Sequence, residues 1–194
     1  MENSHNIERL NQKVKRLRTL IEVNEVISSS LEIDTILENV VSISKKVMNA
    51  DASSLMRIDE KTNELIYQVA QGSVGEKLKQ VVRLKMGQGI AGTVAEEGKP
   101  LLLEDAYTHP KFFRGNDEQT GYRTKSMITV PLKVGNRVTG VAQVINRLDG
   151  KPFDQDDLEL FLSLSSMAAI ALENAKMHQQ ILDKQRLVKD MEFA

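Results

Sequence analysis

The sequence predicts a mixed α+β domain set between two long amphipathic helices. Three observations carry this prediction. Ile7, Leu10, Val14, Leu17 and Ile21 recur at alternating steps of three and four, the spacing of a helix with a narrow apolar seam. Between positions 53 and 146 the apolar period falls to two in several separate runs, as in half-buried strands. From about Asp154 the helical period returns and continues towards the last residues. A length of 194 residues suits one domain with helical extensions, or at most two small domains.

The elements follow in order. Residues 5–30 read as one helix. Asn24 continues its seam, where a polar residue can fix register and two-stranded pairing. Ser30 or Asp34 can cap a second helix over about 34–48, whose apolar stripe runs through Ile36, Leu37, Val40, Val41, Ile43 and Val47. SSLMRID (53–59) and ELIYQVAQ (64–71) read as strands around the turn DEKTN. A short helix is expected over 72–79 and a strand in VVRLKM (81–86). GQGIAGTVAEEG (87–98) is helical between its glycines, with Ile90, Val94 and Ala95 as the inner face and Pro100 just past its end. LLLED (101–105) is a short buried strand. SMITVPLKV (126–134) and VTGVAQVIN (138–146) form a central hairpin through Gly135-Asn136-Arg137.

The last helix starts among the acidic residues 154–157, which complement its dipole. Up to Ala175 it is rich in Leu, Ala and Met and should be buried. From Met177 it narrows to Met177, Ile181, Val188 and Met191, a second seam. A lone narrow seam cannot bury itself, so a parallel homodimer through the terminal helices is expected; the alternative packs both helices on one protomer. The expected organisation is an N-terminal dimerisation and signalling helix (1–30), a central domain (31–175) and a C-terminal signalling helix (176–194). The pattern still runs in QRLVKDMEFA without a Gly or Pro stop, so an output domain beyond it is expected.

Composition narrows the function. The net charge is −1, and the one cationic cluster, KVKRLR (13–18), lies on a helix and reads as a solvated face, so no nucleic-acid partner is expected. The chain has no cysteine, which removes disulfides, thiolate nucleophiles and thiolate metal sites and fits a reducing cytoplasm. No apolar run approaches the roughly 20 residues of a membrane span, and MENSHNIERL lacks a signal-peptide core. No metal-ligand cluster, P-loop or nucleophile elbow is visible. Catalysis is therefore not expected, nor a metal, nor a required cofactor.

The segment EDAYTHPKFFRGNDEQTGYRTKSMITVPL (104–132) joins polar chain to an alternating strand. It carries Tyr107, Phe112, Phe113 and Tyr122, four of the eight aromatic residues, so an irregular flap packed over something is expected rather than disorder. Arg114 and Arg123 are either solvated or paired with Asp105 or Asp117. His109, beside a proline, is a poor metal candidate.

QGIAGTVAEEGKPLLLEDAYTHPKF, GNDEQTGYRTKSMITVPLK and GVAQVINRLDGKPFDQDDLELF together resemble GAF domains. The resemblance is greatest to the cyclic-nucleotide-binding GAF domains of phosphodiesterases and bacterial adenylate cyclases, and it spans about residues 20–175. It implies the GAF fold: a central antiparallel six-stranded sheet with helices on one face and a ligand pocket on the other. The family's NK…F…DE signature reads here as Asn146-Arg147, Phe153, then Asp157 followed by Leu158. Arg147 and Asp157 would keep the family's paired lock, either beside ligand or as a purely structural clamp between hairpin and helix.

The resemblance further implies a cyclic nucleotide, cAMP or cGMP, as ligand. It places Ile90 and Ala91 at the phosphate or sugar through backbone amides, Phe113 at the pocket wall, and Asp117, Thr120 and Thr124 among flap contacts. Ser54 would read the base edge, and Gln143 stands where a guanosine-selective member has glutamate. Ala70 and Gln71 lack the ring and carboxylate of that member. Other readings stay open: glycine capping at 87–89, Thr120 and Thr124 tying the flap to itself, Phe112 and Phe113 as core plugs. The implied function is a sensor that signals through paired helices to an output domain such as a metal-dependent serine phosphatase, cyclase or kinase. The alternative is a degenerate pocket in a dimerising spacer.

Overall fold

The computed structural model describes residues 2–72 and 83–192. The helix expected over 72–79 lies outside them apart from Gly72, as do the first two residues of the strand expected at 81–86. In chain order the elements are α1 (Glu2–Ser28), α2 (Ile33–Val47), β1 (Ala50–Asp59), β2 (Glu64–Gln71), β3 (Arg83–Lys85), α3 (Gly89–Glu97) and β4 (Leu101–Leu103). A 3-10 turn (Ala106–Thr108), α4 (Gly115–Thr120), β5 (Met127–Val134), β6 (Arg137–Arg147) and α5 (Gln155–Glu192) complete the chain.

The six strands form one antiparallel sheet in the order β3-β2-β1-β6-β5-β4. Alternation along each strand divides its side chains between two faces. Leu55, Val69, Ile128, Val130, Ala142 and Val144 face the helices, where they meet Ile36, Leu37, Val40 and Val41 of α2 and Phe161, Leu164 and Ala168 of α5. Burial of a side chain such as Phe161, which is fully enclosed, stabilises the fold by about 1.5–3 kcal/mol relative to exposure. Met56, Val141, Met127 and Ile145 lie on the other face, under α3 and the flap.

The expected seam of α1 and its core contacts occupy different sides of the helix. Val23 and Ile27 are buried in the main core, whereas Ile7, Leu10, Leu17 and Ile21 are 60–65% exposed. The sequence reading assigned only the seam and missed the two core residues.

Entry into α5 is fixed by a reciprocal cap. The Asp157 N–H donates to Asp154 Oδ1 at 2.9 Å, and the Asp154 N–H donates to Asp157 Oδ2 at 3.0 Å. Phe153 before the cap and Leu158 after it share the main core, which sets the angle at which the chain enters the helix. One window of α5 is long and apolar enough to meet the composition of a membrane span. Phe161, Leu164, Ala168, Ala169 and Ala175 of that helix are buried against the sheet and its neighbouring helices, as in a core helix.

Candidate functional site

The register places three polar residues in one row on the α3 side of the sheet. Ser54 pairs with Gln143 across β1–β6, and Gln143 pairs with Thr129 across β6–β5. All three are buried, Thr129 completely. The Gln143 Nε2 donates to Thr129 Oγ1 at 2.9 Å. Ala70 of β2 and Leu101 of β4 close the row at its two ends. Apolar rows flank it: Met127 with Ile145 on one side and Met56 with Val141 on the other. Strand alternation thus brings together two of the expected site residues, Ser54 and Gln143. Thr129 was missed, because an isolated Thr inside SMITVPLKV reads as an ordinary β-branched strand residue.

The first turn of α3 bridges those flanking rows. Ile90 packs with Met127 and the flap residues Ala106 and Phe112, while Ala91 and Val94 pack with Met56 and Val141. Gly89 opens the helix at φ +65°, a conformation that glycine adopts without steric penalty. No side chain caps this N-terminus, and its first turn carries no acidic residue. The chain offers backbone N–H groups there, with the positive end of the helix dipole.

The flap is more regular than expected, containing the 3-10 turn and the short helix α4. Asp105 starts it by accepting the Tyr107 N–H at 3.0 Å. Asp117, on α4, is buried and among the described residues accepts hydrogen bonds from Tyr107 Oη at 3.0 Å, from Thr124 N at 2.7 Å and from Thr124 Oγ1 at 2.8 Å. Asp117 and Thr124 are therefore tied to each other, the second of the two roles open for Thr124. Thr120 ends α4, and its side chain lies outside the described ones.

Phe113 departs from the expected pocket-wall position: the residue is 66% exposed. The apolar place beneath the flap belongs instead to Phe112, which packs with Ile90, Ala106 and Met127 and stands 5.1 Å from the Tyr107 ring. One step in sequence reverses the direction of the side chain in this irregular stretch, and no periodicity was available to choose between the two phenylalanines. Arg123 lies 3.5 Å and Arg114 4.9 Å from the centre of the Tyr107 ring, so both cations rest on an aromatic face. Desolvation and the adjacent Asp117 carboxylate hold the Tyr107 phenol above its ordinary value.

Asn146 fastens the far end of the flap to the sheet. Its backbone sits at φ +51°. Its Nδ2 donates to Arg123 O at 2.8 Å and Tyr122 Oη at 3.0 Å, and its Oδ1 accepts from Lys125 N at 2.7 Å. Tyr122 Oη in turn donates to Asp51 Oδ2 at 2.7 Å. Desolvation, reinforced by Asp51, holds this phenol well above its ordinary value. The neighbouring Arg147 donates from Nη1 to Asp157 Oδ2 at 2.8 Å and grips Asp149 through Nε and Nη2. The Arg147–Asp157 pair joins β6 to the cap of α5. Among the described residues no group of His, Asp and Glu is placed to hold a metal ion.

Comparison with known proteins agrees with this architecture. The GAF domain model matches residues 32–172. A dual 3',5'-cyclic-AMP and -GMP phosphodiesterase 11 of Drosophila melanogaster is 33% identical over 174 residues, covering 83% of this chain and 12% of that protein. A probable 3',5'-cyclic phosphodiesterase of Caenorhabditis elegans is 31% identical over 159 residues, covering 78% of this chain and 22% of that protein. The chain thus spans under a quarter of the length of either relative.

Among solved structures, the GAF domain of an Acinetobacter phosphoenolpyruvate-protein phosphotransferase aligns with a TM-score of 0.72 at 22% identity, over 86% of this chain and 98% of that one. The free methionine-R-sulfoxide reductase of Neisseria meningitidis, solved with its substrate, aligns with a TM-score of 0.71 at 19% identity, over 84% and 91%. These two show the shared fold. The matched family model and the identity to the two phosphodiesterases settle the lineage: this chain belongs to the GAF domain family.

Proposed function

We propose that the chain is a regulatory GAF domain that binds a cyclic nucleotide, cAMP or cGMP, between the polar row of the sheet and the flap. The observation that carries this reading is the buried Ser54–Gln143–Thr129 row, set between two apolar rows beneath the first turn of α3. An amide and two hydroxyls can each donate and accept, which suits the edge of a purine. The flanking Met and aliphatic side chains suit its faces, and the N–H groups of Ile90 and Ala91 suit a singly charged phosphate. The identity to proteins named as cyclic-nucleotide phosphodiesterases supports the same ligand class.

In this reading the ligand adds contacts to the flap, and β5 and β6 carry the change to α5. A ligand shifts the helices only by the difference in its affinity for the two arrangements. The seams of α1 and α5 pair with a second copy and lead to an output domain, and the setting is cytoplasmic, in keeping with the absence of cysteine. Catalysis is not assigned to this chain.

A second reading has its own support. Asp117 and Thr124 engage each other, and Phe113 faces solvent, so the flap is held by its own contacts. This favours a dimerising spacer with a degenerate pocket. Calorimetric titration with cAMP and cGMP separates the two. The sensor reading expects micromolar or tighter binding by one nucleotide, weakened at least about tenfold by Gln143→Ala, a loss in line with one or two buried hydrogen bonds. Absence of binding by either nucleotide leaves the spacer.

A further inference from the structure

The central sheet forks at the end away from the flap. The β1–β6 ladder stops at the pair Arg57–Gly140, whereas the β1–β2 ladder runs on to Asp59–Glu64 and the β5–β6 ladder to Val134–Arg137. Gly140 allows the last close contact, since a Cβ there would collide with the Met56 carbonyl oxygen. Beyond it the two hairpins part. A cavity of about 460 Å³ fills the fork, with Ile58 and Glu60 on one side and Arg137, Val138 and Thr139 on the other. This volume falls in the range of small-molecule sites, about 300–1,000 Å³.

We propose that this fork is a second ligand site, separate from the flap side, and that it takes an organic anion with an apolar body. Three observations support it. First, part of the wall is apolar: Ile58, Met86, Leu132 and Leu172 line the cavity. Second, the charges on its α5 side do not balance. Lys176 Nζ binds Glu60 Oε1 at 2.6 Å, and Arg137 binds Glu173 Oε1 at 3.0 Å while approaching Glu60 Oε1 at 3.5 Å. Arg57, half-buried and also lining the cavity, forms no ion pair among the described residues. Arg137 and Lys176 thus share Glu60 and Glu173, the third carboxylate of the lining, Glu96, lies across the cavity on the α3 lip, and Arg57 is left as the lining cation without an ion pair among the described residues. A bound carboxylate or sulfonate would complete the set, and a guanidinium can hold either through two hydrogen bonds.

Third, the site touches the helix that leaves the domain. Glu173 and Lys176 straddle Ala175, after which α5 has no buried residue among those described. The ion pairs that pin α5 to both hairpin tips are the ones an anion beside Arg57 would rearrange. Occupancy of the fork would therefore act on the exit of α5 directly, without passing through the flap.

Octanoate and octanol are the probes, titrated into the full chain and followed by amide NMR shifts. Octanoate is expected to saturate shifts at 57–60, 137–139 and 172–176, and to bind at least tenfold tighter than octanol. Arg57→Gln should bring octanoate down to the level of octanol. Val138→Trp narrows the mouth without changing charge and should weaken both probes alike, which keeps the test decisive if Arg57→Gln perturbs the fold. Octanoate shifts that miss these amides, a preference for octanoate that survives Arg57→Gln, or unchanged binding of both probes to Val138→Trp would each overturn the proposal.

Discussion

Thr124 gives both its backbone N–H and its hydroxyl to the Asp117 carboxylate, at 2.7 and 2.8 Å. The eight residues 117–124, including the end of α4, are thereby closed into a loop around a buried charge. Hydrogen bonds to a charged group contribute about 1.5–3 kcal/mol each, and a stranded buried donor costs a similar amount. Asp117→Ala leaves the Thr124 N–H and the Tyr107 hydroxyl without this acceptor, so it is expected to destabilise the domain by about 2–4 kcal/mol in urea unfolding. Thr124→Ala removes only the hydroxyl bond and should cost about half as much, while Thr124→Ser should be close to neutral. Equal losses for Thr124→Ala and Asp117→Ala would show that the backbone N–H finds another acceptor.

Asn146 combines a left-handed backbone with three side-chain bonds to residues 122–125. Asn146→Ala loses both and is expected to cost about 3 kcal/mol, of which about 1 kcal/mol is the strain of the left-handed conformation. Asn146→Gly restores the backbone term alone. Hydrogen exchange at 105–125 should rise in both variants, since neither holds the flap. Protection of the flap in Asn146→Gly would mean that backbone geometry alone fixes it.

The main strands and the helices α1, α2, α3 and α5 were legible from period and turn residues, because a sheet with one helical face gives clean alternation in 126–146 and a wide stripe in 34–48; the 3-10 turn and α4 were not, being too short to show a period. Register was not legible, since it depends on bulges such as those at Leu55/Met56 and Leu132/Lys133. That is why Thr129 stayed unnoticed beside Gln143, and why the fork at Arg57 and Gly140 left no trace in the sequence pattern. The flap failed for another reason. Its side-chain directions follow local bonds to Asp105, Asp117 and Asn146, none of them periodic, so Phe112 and Phe113 were interchangeable on paper.

Arg147 stands where the resembling signature has lysine, and the structure gives the substitution a consequence. Its guanidinium holds Asp149 through two nitrogens and Asp157 through a third. Asp157 keeps its cap bond to the Asp154 N–H without Arg147. Each partner therefore has a second engagement, and a double-mutant cycle with Arg147→Met and Asp157→Asn should give a coupling of no more than about 1 kcal/mol. Asp157→Ala alone should cost about 1 kcal/mol through the cap. A coupling of several kcal/mol would make the pair the main fastening between β6 and α5.

The Tyr122 phenol donates to Asp51 and is held above its ordinary value. A folded pKa above the unfolded one means that the bound proton stabilises the fold below about pH 10. That stability is lost as pH rises from there through the raised folded value. Burial pushes Tyr67 in the same direction, to about 12. The melting temperature should therefore fall between pH 9.5 and 11.5. Tyr122→Phe should be less stable at pH 7, by about 1 kcal/mol, and its melting temperature should fall less steeply over the alkaline range. Parallel alkaline curves for parent and variant would show that Tyr122 ionises alike in both states.

Ile7, Leu10, Val14, Leu17 and Ile21 form one exposed line on α1, and Met177, Ile181, Val188 and Met191 are exposed on α5. An apolar seam of this length on a helix is stable in water only when another surface covers it, and a second copy supplies an identical one. A test by deletion has to respect the core: removing residues 1–30 would also remove Val23 and Ile27, which are buried, and would mix loss of core packing with loss of pairing. Leu10→Glu with Leu17→Glu leaves those residues in place. Sedimentation of the parent chain is expected to give a dimer, and the double variant a monomer with the same melting curve for the domain. Because the chain has no cysteine, Val14→Cys adds a single thiol. In a parallel pair the two thiols meet at the seam, and mild oxidation should give a quantitative cross-linked dimer. In an antiparallel pair centred elsewhere they lie turns apart, and the chain should stay uncross-linked.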